Sequence, residues 1–222
     1  MLSAAPRQVP VADVVDLVKK WVAATRELAD ASAAIDADRD RKSTSPNGAL
    51  RSQIVVNRSA LKRIDAAAAL LPEESRFQPN STEREANTNY RSALVSLRHG
   101  LEAQTSINER MVSLEGLDFI MASGEIMEQI LKTREELDAA WAALAPATHL
   151  MTASLVDVER VTDGTLQHLR LTTSQRQALL DDIERAFPKA PSRVAATLSG
   201  PLNAIAVIKN VLTGPYRPAD VR

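Results

Sequence analysis

The sequence contains no cysteine, few aromatic residues and few glycines, and each shortage excludes a class of site. Without cysteine the chain has no disulfide bond, no thiolate zinc site and no cysteine nucleophile. Aromatic residues make up 3% of the 222 residues, and only 7 residues are glycine. Neither glycine-rich motif that cradles a nucleotide phosphate is present, so we expect no nucleotide site of that kind.

Long apolar runs and a strong net charge are also missing. No run approaches the roughly 20 apolar residues that a helix needs to cross a bilayer. The net charge of −1 gives no general attraction for nucleic acid or anionic lipid. The amino terminus lacks the basic region and apolar run of a signal peptide. We therefore expect a soluble protein. Its compartment stays open: the cytoplasm is slightly favoured, and an extracytoplasmic location is the alternative if a leader was removed.

What the chain has in abundance is helix-forming residues, chiefly Ala, Leu, Arg and Glu. No segment alternates apolar and polar residues between turn signals clearly enough to predict a strand, so the fold class is predicted to be all-α. Two helices are expected at about 10–38 and 49–71, joined by a polar loop. Further helices are expected at about 148–170 and 172–187, and after residue 192 a region resuming at 202–212.

One long helix from about 82 to 145 is the main architectural prediction. Thr82 and Glu85 form a T-x-x-E capping box, and no proline follows until Pro146. From Tyr90 to Leu144 an inward stripe recurs every 3.6 residues, the period of a straight helix, without a phase slip at Gly116. The alternative is a break around 115–118, which gives two helices of a conventional four-helix bundle.

The long helix predicts an elongated antiparallel helical bundle with shorter C-terminal helices. Residues 1–145 would form an N-terminal helical layer with the central helix, and residues 146–222 would pack on its second half, either as a separate unit or within one continuous domain. Three polar residues fall on the inward stripe, Thr105, Asn108 and Arg134. We expect the stripe to be exposed where the two layers part, although a buried Asn can also fix helix register.

Motifs for catalysis and metal binding were sought and are missing. The three histidines, at 99, 149 and 168, have no glutamate three residues before them, so the Glu-x-x-His pattern of helical metal sites fails. His99 precedes Glu102 by three residues, which is typical of an exposed contact on one helix face. We expect no enzyme activity, no cofactor and no metal.

Charges are unevenly distributed along the chain. Between residues 109 and 138 there are eight acidic residues and three basic ones. Between residues 39 and 63 there are seven basic residues and one acidic residue. This candidate basic patch consists of Arg39, Arg41, Lys42, Arg51, Arg58, Lys62 and Arg63. It lacks the aromatic residues that stack on bases, so nucleic acid is not the expected partner. We expect a solvated face, or contact with acidic residues of this chain or of a second copy.

The C-terminal region is the most apolar part of the chain. Residues 194–208 carry no charge, and their large apolar side chains do not share one narrow face. Such a helix either fills the core of its own chain or is partly covered by a partner. The candidate interface residues are Leu198, Leu202, Ile205, Val207 and Ile208.

The sequence therefore favours a non-enzymatic helical protein that acts by protein–protein interaction or assembly, as a scaffold, adaptor or chaperone. A protein partner or self-association is expected. The alternative from another class is a helical-bundle sensor domain that binds a small molecule in a polar pocket between helices.

Overall fold

A computed structural model describes residues 11–39, 45–162, 164–188, 200–214 and 217–218. Helices dominate this part of the chain, so the predicted all-α class is confirmed. Within these residues there are seven α-helices, one short 3₁₀ helix and three short strands.

The first two helices form an antiparallel pair. Helix α1 spans Val11–Arg39 and helix α2 spans Pro46–Leu70, close to the predicted bounds. The Ser45 side chain accepts a hydrogen bond from the amide of Gly48, and Pro46 occupies the first turn, where its missing N–H has no consequence. An ion pair from Arg63 of α2 to Glu27 of α1, at 2.9 Å, links the outer faces of the pair.

The predicted single helix from 82 to 145 is wrong, because the chain reverses direction near Gly116. Helix α3 ends at Ser113, the next two residues are extended, and helix α4 begins at Gly116 and runs to Ala142. Gly116 has a φ of +56°, in the left-handed region that favours glycine. Helix α3 begins at Thr82 as expected, although its capping side chain is that of Ser81, which accepts from the amide of Arg84.

The periodicity could not reveal this break. Each helix of an antiparallel pair has its own 3.6-residue stripe, and both stripes point at the shared interface. The two-residue connection happens to preserve the phase between them. Because α4 folds back along α3, there is no single long helix, and the C-terminal helices cannot pack on the second half of one.

The prediction of a helix at 148–170 is also wrong after Ala153, where α5 ends and a hairpin follows. Helix α5 spans Leu144–Ala153, and strands β1 (Val156–Val161) and β2 (Gly164–Leu169) then form an antiparallel hairpin. Val158 and Val161 fit a helical three-residue step, but Val156 and Val158 alternate with Asp157 and Glu159, which is the period-2 pattern of a strand. The sequence Asp163-Gly164 is a strong hairpin signal, and β2 begins at Gly164.

Arg170 connects the base of this hairpin to the helices. Its side chain is buried, and Nη1 donates a 2.8 Å hydrogen bond to the carbonyl of Ser154. The guanidinium lies 3.8 Å from the carboxylate of Glu83, at the start of α3, and 3.7 Å from that of Asp157. A charge in the interior requires such partners, so Arg170 fixes where the hairpin leaves the helical body.

Two further helices complete the described fold. Helix α6 spans Thr173–Ala186, and Thr172 caps it in a box with Gln175, as the predicted 172–187 segment implied. Helix α7 spans Pro201–Thr213, and strand β3, residues 217–218, pairs in parallel with β2. Helices α6 and α7 pack on α1, and α7 also packs on α5. The division of the chain at residue 145 stays a prediction.

Helix α3 lies at the centre of this arrangement and packs against α2, α4 and α5. Its Tyr90 is buried in the core, and the hydroxyl lies 2.9 Å from the hydroxyl of Thr25 on α1. Where α4 crosses it, α3 carries Gly100, whose missing side chain admits Leu137 of α4. A Cβ atom built on Gly100 would lie 2.6 Å from Cδ2 and 2.8 Å from Cγ of Leu137.

Replacing Gly100 with alanine is therefore expected to separate α4 from α3. We expect Gly100→Ala to lower the free energy of unfolding by about 1–2 kcal/mol, because overpacking exceeds the gain of about 1 kcal/mol in helix propensity. Urea unfolding measures this change. In the double variant Gly100→Ala/Leu137→Ala the two losses should be less than additive by about 1 kcal/mol. Strict additivity would contradict a close contact.

Candidate interaction surface

Helix α4 has two apolar sides, and the described part of the chain covers only one of them. Ile126, Thr133 and Ala140 are buried on the side facing α3. On another side, large apolar side chains recur at helical spacing and are exposed to solvent. We call these five residues the α4 apolar face: Leu117, Ile120, Met121, Met127 and Leu131.

The exposure of this face is high for side chains of this kind. Leu117 is 77% exposed and Met121 85%, and Met127 and Leu131 are both 56% exposed. At 100° per residue the five positions fall within an arc of about 120°, so they share one side of the helix, with Gly124 and Glu128 lying between them. Clustered exposure of this kind marks an interaction site, whereas single exposed apolar residues are normal.

The sequence contains a pattern that indicates this exposed face, and the prediction of one long helix did not take it into account. Phe119, Ile120 and Met121 are consecutive, and three consecutive helical residues cannot all face one neighbouring helix. Ile126 and Phe119 fell on the predicted inward stripe, and Ile120 and Met121 did not. A helix that is apolar on more than one side needs more than one covering element.

An ion pair fixes the end of the α3–α4 hairpin next to this face. Arg110 donates from Nη1 and Nη2 to the two carboxylate oxygens of Glu125, at 3.0 and 2.9 Å. Gln129 adds a 3.1 Å hydrogen bond to the same carboxylate. Hydrogen bonding to Arg110 lowers the pKa of Glu125, and the carboxylate in turn raises the pKa of Arg110. Both groups face solvent, so salt weakens this pair.

A groove lies on the inner side of α4, between it and the ends of α1 and α2. Its volume is about 510 Å³ and its floor is α3. Asn108 and Arg134, two of the three polar residues on the predicted stripe, line it, and Asn108 donates a 3.2 Å hydrogen bond to Gln53. Arg134 is exposed, as expected, but Thr105 and Asn108 are buried. The groove is also lined by the apolar residues Ile35, Leu50, Leu101, Met111, Ile130 and Trp141.

The candidate interface predicted in the C-terminal region lies mostly in the chain's own core. Ile205, Val207 and Ile208 are buried within α7 packing, and Leu202 is 49% exposed. Leu198 lies outside the described residues. For α7 the structure therefore favours the alternative in which the helix fills the core of its own chain over the one in which a partner covers it.

The candidate basic patch is divided between ion pairs and solvent. Arg58 of α2 bonds to Glu109 of α3 at 2.7 Å, and Arg63 bonds to Glu27 of α1. Arg51 and Lys62 are exposed on α2. The side chains of Arg39, Arg41 and Lys42 lie outside the described residues. Part of the basic segment thus meets acidic residues of its own chain.

Three ionisable groups of the described residues have a clearly displaced pKa. Besides Arg110 and Glu125, the group with a clearly displaced pKa is Tyr90, whose pKa burial in the helical core raises strongly. Across the described ranges, no group of three or more His, Asp or Glu residues is placed to hold a metal ion. None of the helices in these ranges is both long enough and apolar enough to cross a membrane.

The Arg110–Glu125 pair predicts a specific pH dependence. A carboxylate whose pKa is lowered on folding stabilises the folded chain above its unfolded pKa, near 4.5, and the contribution disappears as the pH falls through the folded value. Glu125→Gln should therefore lower the melting temperature at pH 7, and the difference from wild type should shrink below pH 4.5. Glu128→Gln, at a residue without an ion-pair partner among the described residues, is the control. Equal pH profiles for the two variants would contradict the assignment.

Comparison of the chain with protein-family models, curated protein sequences and solved structures found no match. A function for this chain therefore has to be argued from its own residues and their geometry.

Proposed function

We propose that this chain is a non-enzymatic helical protein that acts by protein–protein interaction, and that its contact surface is the α4 apolar face. The observation that carries the proposal is the exposure of five large apolar side chains along one side of a helix. Their burial by a partner would remove apolar surface from water, which is the main favourable term in protein association.

The charge of α4 supports a protein rather than a lipid surface as the partner. Helix α4 contains six acidic residues and two basic ones, so its own charge is −4. Helices that lie on anionic membranes carry Lys and Arg on their polar face instead. A negatively charged helix would be repelled by such a membrane, whereas a protein surface can supply both an apolar contact and matching charge.

The position of the charged groups supports a role without catalysis. The displaced pKa values belong to an exposed ion pair and to a tyrosine in the core, and neither faces a cleft that could hold a substrate. Catalytic groups are usually found where burial and neighbouring charges meet in a pocket.

Site-specific photo-crosslinking tests this function. A photoreactive phenylalanine analogue at Met121, expressed in the cells that naturally contain the protein, should form a covalent adduct with a protein. The same analogue at Val95, which is 56% exposed on α3 as a single apolar residue, is the matched control and should form much less. If the Met121 probe gives no protein adduct, or no more than the Val95 probe, the α4 apolar face is not a contact surface.

Small-molecule binding is the second candidate, and the groove beside α4 is the observation that favours it. A volume of about 510 Å³ with mixed polar and apolar walls is in the range of ligand sites. The fluorescent probe 1-anilinonaphthalene-8-sulfonate should bind the wild-type chain, and Gln104→Phe, which fills the groove, should abolish that binding. Leu131→Gln, on the exposed side of α4, should leave it intact. Loss of binding only in Leu131→Gln would assign the probe to the apolar face and remove support for this candidate.

A further inference from the structure

The α4 apolar face is nearly symmetric about Gly124. Leu117 and Leu131 lie seven residues before and after this glycine, and Met121 and Met127 lie three residues before and after it. The exception is Ile120, whose counterpart four residues after Gly124 is Glu128. When two copies of such a helix lie antiparallel, each leucine and methionine of the face meets its symmetry counterpart, as a two-fold contact between identical surfaces requires, and Ile120 lies against Glu128 of the partner subunit.

We infer that the partner of the α4 apolar face is a second copy of this chain, with the two α4 helices antiparallel and crossing at Gly124. The inference rests on the proposed function, because it names the occupant of the same surface. In this pairing Leu117 packs on Leu131 of the partner subunit, and Met121 packs on Met127 of the partner subunit.

No contact with the described residues of its own chain explains the glycine at position 124. It is exposed in the middle of α4, and a methyl group added there would meet no atom within 4 Å. A glycine inside an exposed helix costs about 1 kcal/mol relative to alanine. Its benefit arises when another backbone approaches closely, since there is no side chain to hold the two helices apart. A crossing point at the centre of the apolar face supplies that approach.

The charges of α4 disfavour a parallel orientation. The second half of α4 holds Lys132 and Arg134 but also Glu135, Glu136 and Asp138, and Lys132 pairs with Glu136 of its own chain at 4.0 Å. Antiparallel pairing brings this mixed segment to Asp118 of the partner subunit. Parallel pairing would instead place acidic residues such as Glu128 beside their own copies, which is unfavourable.

The area of the face fits a modest but specific dimer. A fully exposed Leu, Ile or Met has about 180–200 Å² of accessible surface, so the five exposed fractions amount to roughly 600 Å² per copy, against about 800 Å² in interfaces of standard size. The apolar face thus supplies most of a standard interface, and the flanking residues of α4 would supply the remainder.

Engineered cysteines test the orientation, because the natural chain contains none. Met121→Cys and Met127→Cys are made as separate chains, mixed and oxidised with glutathione disulfide. The antiparallel pairing predicts that the mixed disulfide dimer exceeds both self-disulfide dimers. A predominance of dimers of Met121→Cys with itself would indicate parallel pairing and overturn the proposed geometry.

Light scattering after size-exclusion chromatography tests the association itself on the full chain. At about 100 μM the wild type should have twice the chain mass of 24.1 kDa, and at about 1 μM the mass of one chain. Leu131→Gln and Gly124→Ala should each raise the dimer Kd about tenfold or more, and the control Val95→Gln should change it less than about threefold. At 1 μM Gly124→Ala should nevertheless raise the melting temperature, since alanine is the better helix former. Weaker association in a more stable chain cannot be attributed to misfolding.

The possible failures are distinguishable. A wild type that stays monomeric at 100 μM, or a dimer unaffected by both variants, overturns the inference. If the Met121 photo-crosslink then contains a different protein, the proposed function stands without the second copy. If it contains no protein, the proposed function falls as well.

Discussion

The close packing of α4 against α3 is the contact on which the candidate site depends. Gly100 lets Leu137 approach the backbone of α3, and the Arg110–Glu125 pair joins the two helices near their turn. These contacts bury Ile126, Thr133 and Ala140 on the side of α4 that faces α3. They leave the remaining apolar side chains of the same helix without a covering element among the described residues.

The apolar face, the groove and the reversal at Gly116 have one origin. A chain that continued straight past Gly116 would carry residues 116–142 away from α3, and no groove would form. Because the chain turns back, α4 lies beside α3 and opposite the ends of α1 and α2, which creates the groove. The same reversal presents the other side of α4 to solvent. A glycine with a φ of +56° makes this turn possible at low cost.

Local patterns in the sequence were sufficient where an element is determined by its own residues. Helices α1, α2 and α6 were predicted within a few residues, because caps and prolines mark their ends and one apolar stripe marks their buried face. The pattern was ambiguous where two periods fit the same residues. In residues 156–161, Val158 and Val161 are three residues apart, as on a helix face, whereas Val156 and Val158 alternate with acidic residues, as in a strand. The hydrogen bonds between β1 and β2 decide between the two periods. In α7 the pattern was ambiguous for another reason, since a helix apolar all round is equally suited to the core and to a partner. Here Ile205 and Ile208 are in the core, and Leu202 is 49% exposed.

The sequence by itself determined that the chain is helical, that it lacks the usual motifs of catalysis and metal binding, and that it has more apolar helix surface than one stripe per helix requires. It also determined that the apolar residues of α4 are arranged almost symmetrically about Gly124. Only the tertiary structure decided which of these apolar surfaces are covered. Whether an apolar surface is buried depends on which helices lie next to it. The neighbours of α4 depend on where the chain reverses and on contacts between residues that are distant in the sequence, such as Gly100 and Leu137. The long helix expected from the periodicity is therefore two helices, and the second of them carries the surface by which we propose that this protein acts.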